Sequence, residues 1–173
     1  TIEAATTDPR LGDVAGIAVD TRPDRDGLWV VSMWNSARLT ELGADLQPRR
    51  STVVGSGRYA LAFDAETARL YTTAYYRSRA RILNADSLAT VGTIRTGLGT
   101  RALAVDGGRD RVLVSSVYDG LVRVCDREGT LLHRLRVGGH VKDIALDTQR
   151  GLAYFVSQCG LFRVNLDVLD DGR

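Results

Sequence analysis

The chain has 173 residues, of which 44% are apolar and 25% are charged, the balance of one folded domain and not of a disordered chain. Its net charge of +2 is too small for a protein that binds nucleic acid by neutralising phosphates, and no apolar run approaches the roughly 18–20 residues that a membrane span needs. With two cysteines and two histidines, the sequence has neither a disulfide framework nor an array of metal ligands, so we expect no metal and no cofactor.

A five-residue segment occurs four times along the chain, with small variations. It begins at residues 16–20 (GIAVD) and recurs at residues 60–64, 102–106 and 143–147. The closing aspartates are 44, 42 and 41 residues apart, a period typical of a four-stranded propeller blade. The alanine at the centre of every segment predicts a strand that is buried on both faces, one of them tightly enough to admit only a methyl group.

The remainder of each repeat predicts three further strands. The second strands are predicted over residues 28–34, 70–76, 112–118 and 152–158. A third strand is predicted over 121–125 and its equivalents, and a fourth over 51–54, 90–95 and 131–137. Helical periodicity is absent. The pattern therefore predicts one all-β domain whose four repeats of about 42 residues lie near 8–57, 58–99, 100–139 and 140–173.

These repeats resemble the YVTN-type propeller repeat, a relative of the NHL and gluconolactonase-like blades. The resemblance is densest in residues 82–88 (ILNADSL), 93–97 (TIRTG) and 102–106 (ALAVD), and it covers essentially the whole chain. It implies β-propeller blades and no particular activity, because the family includes binding proteins, surface proteins and some enzymes. Since YVTN-like proteins are often exported, we expect a periplasmic or secreted location, with the cytoplasm left open.

The two ends of the chain carry a further expectation. The fourth repeat has only three predicted strands, and residues 2–7 are predicted to form the missing outer strand, in this chain or in another copy. We expect the four blades to be part of a ring of about six to eight blades, completed by a second copy or another chain. A closed four-bladed ring and a fragment of a longer protein are the alternatives.

An aromatic side chain recurs at the end of the second strand. Trp34, Tyr76 and Tyr118 occupy this position in three repeats, and Gln158 occupies it in the fourth. The loops at this strand end are expected on a face where propellers bind ligands, and the rings could stack on sugars or hold a peptide. The alternative is that they pack between blades.

Basic and titratable residues are expected beside these aromatic rings, at the entrance to the innermost strands. Asp143 stands where the other repeats have glycine or alanine, and together with His140 and Lys142 it forms a cluster suited to an anion or a carboxylate. The predicted ligand-binding residues of this region are Arg58, Arg101, His140, Lys142 and Asp143, beside Tyr59.

No residue pattern points to a nucleophile or a convergent pair of acids, so we expect no catalytic residue. The repeated aspartates are expected to accept hydrogen bonds from the turns that follow them. The sequence thus favours a non-catalytic binding or assembly module that presents an aromatic and basic rim to a protein, a peptide or a small anionic ligand. The alternatives are a hydrolase or lactonase with a site at the central channel, and a sugar-binding lectin.

Overall fold

A computed structural model describes residues 4–34 and 37–169, which contain fifteen strands and two short 3-10 helices. The strands form four antiparallel sheets in chain order. Sheet 1 contains β1 (Val14–Val19), β2 (Leu28–Ser32), β3 (Arg38–Leu42) and β4 (Pro48–Val53). Sheet 2 contains β5 (Arg58–Asp64), β6 (Arg69–Ala74), β7 (Arg79–Asn84) and β8 (Thr90–Arg95).

Sheets 3 and 4 repeat this arrangement. Sheet 3 contains β9 (Thr100–Asp106), β10 (Arg111–Ser116), β11 (Leu121–Cys125) and β12 (Leu131–Arg136). Sheet 4 contains β13 (Asp143–Asp147), β14 (Leu152–Ser157) and β15 (Gly160–Asn165). The all-β prediction is therefore confirmed. In the part of the chain that is described, no helix is long and apolar enough to span a membrane.

The sheets pack side by side in chain order through their first strands, with β1 next to β5, β5 next to β9 and β9 next to β13. Each junction between neighbouring sheets holds a separate apolar core. Trp29 and Leu70 are central to the first core, Tyr71 and Val114 to the second, and Phe155 to the third. Every core takes side chains from both of its sheets, so the cores join the four repeats into one body.

Among the described residues no sheet covers the face of sheet 1 that carries Ile17, and Leu11 covers only the part of it near Val30 and Leu42. Ile17 in β1 is 61% exposed, whereas Leu61 and Ile144, at the same position of their repeats, are 7% and 8% exposed. Val19 in the same strand is also exposed. The difference follows from the position in the series, because sheets 2 and 4 each pack against the sheet before them.

The central alanines are less enclosed than the sequence predicts. Ala18, Ala62 and Ala104 are partly buried and Ala145 is exposed, so the expectation of strands buried on both faces is wrong. Ala18 and Ala104 pack at the edge of the cores shared with the following sheet, whereas no described sheet follows sheet 4 to cover Ala145.

The expected outer strand over residues 2–7 is not found in its described part. Residues 4–7 have no strand geometry, residues 2 and 3 lie outside the described residues, and β15 forms the edge of sheet 4. Leu11 gives a physical reason: it is buried against Val30 and Leu42 of sheet 1, which holds this segment on the sheet furthest along the series from β15.

Arginines join neighbouring sheets at the end of the molecule where the repeated aspartates lie. Arg22 donates to Asp86 across the first junction, with 2.9 Å between Nη1 and Oδ1. Arg127 pairs with Asp64 at 3.0 Å across the second, and Arg109 donates to the carbonyl of Thr148 at 2.7 Å across the third. All these contacts lie at one end, so the opposite end is free to present other chemistry.

Candidate functional site

Irregular strand pairing shapes the other end of the first strands. The registers of β1 with β2, β5 with β6 and β9 with β10 each shift near the start of the first strand. In two of them a hydroxyl replaces the lost backbone partner. The Thr73 Oγ1 accepts from the Ala60 N–H at 2.9 Å, and the Ser115 Oγ accepts from the Ala102 N–H at 2.9 Å. These bulges turn the strand starts toward a shared space.

That space, which we call the central cavity, has a volume of about 420 Å³. It is lined by the starts of all four first strands and includes Tyr59, Arg101 and Lys142. One position of the repeat supplies a lining residue from every strand, namely Gly16, Ala60, Ala102 and Asp143.

Gly16 allows the closest approach of two first strands. A Cβ at this position would lie 2.8 Å from the Tyr59 carbonyl oxygen and 3.1 Å from the Leu61 nitrogen. Since both are backbone atoms, a side chain at residue 16 would force β1 away from β5.

Backbone hydrogen bonds position the residues that follow the second strands. Gly57 donates to the Met33 carbonyl at 2.6 Å and accepts from the Tyr75 N–H at 2.8 Å. Gly99 repeats this arrangement between Tyr75 and Val117, at 3.0 and 2.9 Å. Each glycine thus lies in the connection between two sheets and bonds to the ends of the second strands of both. These bonds place the aromatic residues that follow the second strands at the same end of the molecule.

The recurring aromatic side chains meet there, in a group that we call the aromatic rim. The ring centroids of Trp34 and Tyr76 are 5.3 Å apart, and those of Tyr76 and Tyr75 are 5.1 Å apart. Tyr75 in turn lies 6.2 Å from Tyr59 and 6.4 Å from Tyr118. Trp34, Tyr76 and Tyr118 are 47%, 59% and 67% exposed, so the rim extends across three sheets and faces solvent.

Glycines lie directly beneath the rim. A Cβ at Gly57 would lie 3.4 Å from the Tyr76 ring, and one at Gly99 would lie 2.7 Å from the Tyr118 ring. Both glycines have positive φ angles, +76° and +74°. In the fourth repeat His140 holds the same left-handed conformation, φ +55°, and the tyrosine is replaced by Gln158. The repeats with a tyrosine on the rim therefore have glycine at this position, and the fourth repeat, which has no tyrosine there, has histidine.

The basic residues predicted for this region are divided by the structure. Arg101 stacks on Tyr59, with 5.2 Å from the guanidinium carbon to the ring centroid, and lines the central cavity with Lys142 and Asp143. His140 is exposed and is not among the residues that line the cavity. The structure does not place Arg58 on the rim: it is 4% exposed and donates to the Val54 carbonyl.

Tyr75 is the rim residue that sequence reasoning missed. It contacts three other aromatic rings of the rim, and the hydroxyl of Tyr118 raises its pKa above the ordinary value through a hydrogen bond. Its counterparts in the other repeats are Met33, Val117 and Ser157, so alignment of the repeats gives no signal for it. The adjacent Tyr75-Tyr76 pair was the available clue.

The repeated aspartates have structural partners. Asp64 accepts from the Glu66 N–H at 3.2 Å and Asp147 from the Arg150 N–H at 3.1 Å, as the sequence predicts. Burial acts to raise the pKa of Asp20, but hydrogen bonds from Arg22 outweigh it and the pKa is lowered. Asp106 pairs with the side chain of Arg109 at 3.2 Å. Within residues 4–34 and 37–169 no group of three or more metal-ligating side chains occurs.

Comparison with known proteins identifies a fold but no family. No family model and no curated protein matches the sequence. A hydrazine synthase chain of Kuenenia stuttgartiensis is similar with a TM-score of 0.80 and 10% identity, covering 98% of this chain and 50% of that one. The computationally designed Ika4 protein is similar with a TM-score of 0.70 and 12% identity, covering 96% and 94%. The chain shares its fold with both, and it spans about half the length of the hydrazine synthase chain.

Proposed function

We propose that the protein is a non-catalytic binding and assembly module whose four sheets are blades of a β-propeller. The aromatic rim is the observation that carries this proposal. Large aromatic rings that face solvent are the side chains that most often anchor binding partners. Here five of them are connected by four ring contacts, although three of the rings are about half exposed or more.

The shape of the rim favours an extended partner. Contacts run from Trp34 through Tyr76 and Tyr75 to Tyr118, across three sheets. A single sugar ring would cover only one or two of these side chains, whereas a peptide segment in extended conformation would contact several. The rim therefore suits a peptide or a loop of a protein partner.

The central cavity adds a charged end to this surface. Arg101 connects the two, because it stacks on Tyr59 of the rim and lines the cavity together with Lys142. Asp143 accepts from the Ile144 N–H at 2.9 Å, so its carboxylate is already engaged by the backbone. The two cations favour a partner that brings a carboxylate into the cavity.

The part of the sheet 1 face around Ile17, which Leu11 does not cover, favours assembly through a second copy of the chain. The repeats are equivalent, so the face that carries Ile17 corresponds to the faces of sheets 2 and 4 that are covered by the sheet before them. Sheet 4 of a second copy is a natural cover for it. Two copies joined at both ends would close a ring of eight blades.

Binding is tested with peptides selected from a random library by display on the purified protein. We expect Tyr118→Ala and Arg101→Ala each to weaken binding of the selected peptides by about 10- to 100-fold, with thermal midpoints close to that of the unsubstituted protein. Tyr154→Ala removes a partly exposed tyrosine of sheet 4 away from the rim and should leave affinity unchanged.

The same measurements contain the outcomes that would overturn the proposal. Peptides whose affinity does not depend on Tyr118 or Arg101 would show that the rim is not the binding surface. Retention on a glycan array that is lost in Tyr118→Ala would favour a lectin. Hydrolysis of lactones that is lost in Lys142→Ala or Asp143→Asn would favour an enzyme.

A further inference from the structure

A second cavity, which we call the arginine cleft, lies between the end of sheet 1 and the outer strands of sheet 2. Its volume is about 310 Å³. The connection after β4 contributes Val54 and Gly55, and β8 contributes Thr93. Its other lining residues are arginines, namely Arg58, Arg77, Arg79 and Arg81.

Arg58 is the innermost of these arginines, and its charge is not balanced. Its side chain is buried, and it donates from Nε to the Val54 carbonyl at 2.9 Å and from Nη1 to the Thr72 carbonyl at 3.4 Å. Burial, followed by repulsion from Arg81 and Arg77, lowers the pKa of Arg58 to about 10. A buried cation is costly unless an anion accompanies it. Among the described residues no carboxylate fills that role.

Strand geometry brings the other guanidinium groups to the same place. Arg79 and Arg81 alternate along β7 and therefore share one face of sheet 2. Thr93 lies opposite Arg81 on β8, and Arg95 lies opposite Arg79, so a further cation flanks the cleft. The salt bridges of the described residues include none to Arg77, Arg79 or Arg81.

The contrast with the opposite end of the molecule is informative. There Arg22, Arg109 and Arg127 each pair with two or more acidic side chains. Among the residues that the structure describes, the arginines of the cleft have no such partners. Cations gathered around one concave, partly buried site focus a positive potential into it.

We propose that the arginine cleft binds the tetrahedral oxyanion of a small molecule, a phosphate or sulfate group. The planar guanidinium fork donates two parallel hydrogen bonds to such a group, and several forks around one site are its characteristic receptor. The cleft volume is near the lower limit of small-molecule sites, which span roughly 300–1,000 Å³. This proposal does not depend on the proposed function of the rim, because none of the aromatic residues of the rim lines the cleft.

The test measures how inorganic phosphate and inorganic sulfate change the thermal midpoint of the full chain, against sodium chloride at equal ionic strength. A ligand that binds the folded state raises the midpoint in proportion to the logarithm of its concentration. We expect phosphate or sulfate to raise it and chloride not to. The oxyanion that acts at the lower concentration identifies a phosphorylated or a sulfated ligand.

Variants locate the effect. Arg79→Ala removes an exposed side chain and should weaken oxyanion binding by about 10- to 100-fold, and the double variant with Arg81→Ala should abolish it. Arg136→Ala removes an exposed arginine of β12 with the same change in net charge and should bind normally, as should the rim variant Tyr118→Ala. Equal midpoint shifts in Arg79→Ala and Arg136→Ala, or no shift beyond that of chloride in the unsubstituted protein, would overturn the proposal.

Discussion

Buried ionisable side chains show how apolar the junctions between sheets are. Burial raises the pKa of the Cys125 thiol to about 11 and that of the Tyr71 hydroxyl to about 12, and it lowers the pKa of Arg58 to about 10. Each shift favours the neutral form, as expected where water is excluded. The two cysteines, both free, differ in their surroundings, since Cys125 is buried and Cys159 is exposed.

Stability should fall in alkaline solution because of Cys125. The unfolded thiol ionises near pH 9 while the folded thiol stays protonated until about pH 11, so its stabilising contribution is complete below pH 9 and is lost as the pH rises to 11. We expect this group to remove roughly 2 kcal/mol from the free energy of unfolding over that interval. Urea titrations at several pH values should show a shallower fall in Cys125→Ala. Parallel curves for the two proteins would contradict the assignment.

At the scale of the strand, the repeat position sets the residue type and the neighbouring sheet sets its surroundings. Alanine stands at the centre of all four first strands, yet Ala104 packs against the core between sheets 3 and 4 whereas Ala145 is exposed in sheet 4. A sequence pattern identifies the position but gives both alanines the same burial. The difference arises because sheet 4 is the last of the series.

These two alanines form a matched pair for a stability measurement. Leucine at residue 104 has too little room beside the third core, so we expect Ala104→Leu to lower the free energy of unfolding by about 1–3 kcal/mol. With both variants measured at protein concentrations where the chain is monomeric, Ala145→Leu places the same side chain at an exposed position and should change the free energy of unfolding by less than about 0.5 kcal/mol. Equal losses from chemical denaturation would mean that the position is not a contact between sheets.

The same distinction explains what the sequence could predict of the site. Trp34, Tyr76 and Tyr118 were identified because they recur with the period of the repeat, and their common face follows from equivalent strands. Arg58 was placed on the rim because its neighbours in sequence point there, but its side chain lies in the junction with sheet 1. Contacts between two sheets depend on how the two repeats pack, and the sequence of one repeat does not predict that packing.

At the scale of the whole molecule, the first and last of the four described sheets each have one face without a neighbouring sheet. Sheet 1 exposes Ile17 and Val19, and sheet 4 exposes Val156 and Leu161. Single exposed apolar residues are ordinary on a protein surface. These four, however, lie on the first and last sheets, whereas each internal sheet has a neighbouring sheet on both sides. The arrangement agrees with the proposal that a second copy covers both faces.

The native mass measures this assembly directly. We expect light scattering to give twice the mass of the chain, and Ile17→Asp to give the mass of one chain, because a carboxylate in the covered face would be buried without a partner. Val91→Asp introduces the same charge at an exposed apolar residue of β8 and should remain dimeric. A monomeric unsubstituted protein, or a dimer that tolerates Ile17→Asp, would contradict assembly through this face.

One position of the repeat sets the width of the opening to the central cavity. The four residues at this repeat position run glycine, alanine, alanine, aspartate around the opening, and the glycine permits β1 to lie against the backbone of β5. Ala102 belongs to the third core and Gly16 is fixed by the close approach of β1 to β5. Ala60 and Asp143 lie outside the three cores, so the size of these two residues can vary with little effect on the packing that holds the sheets together. A protein built from repeats can in this way alter the calibre and charge of its opening one residue at a time, while the scaffold around it stays constant.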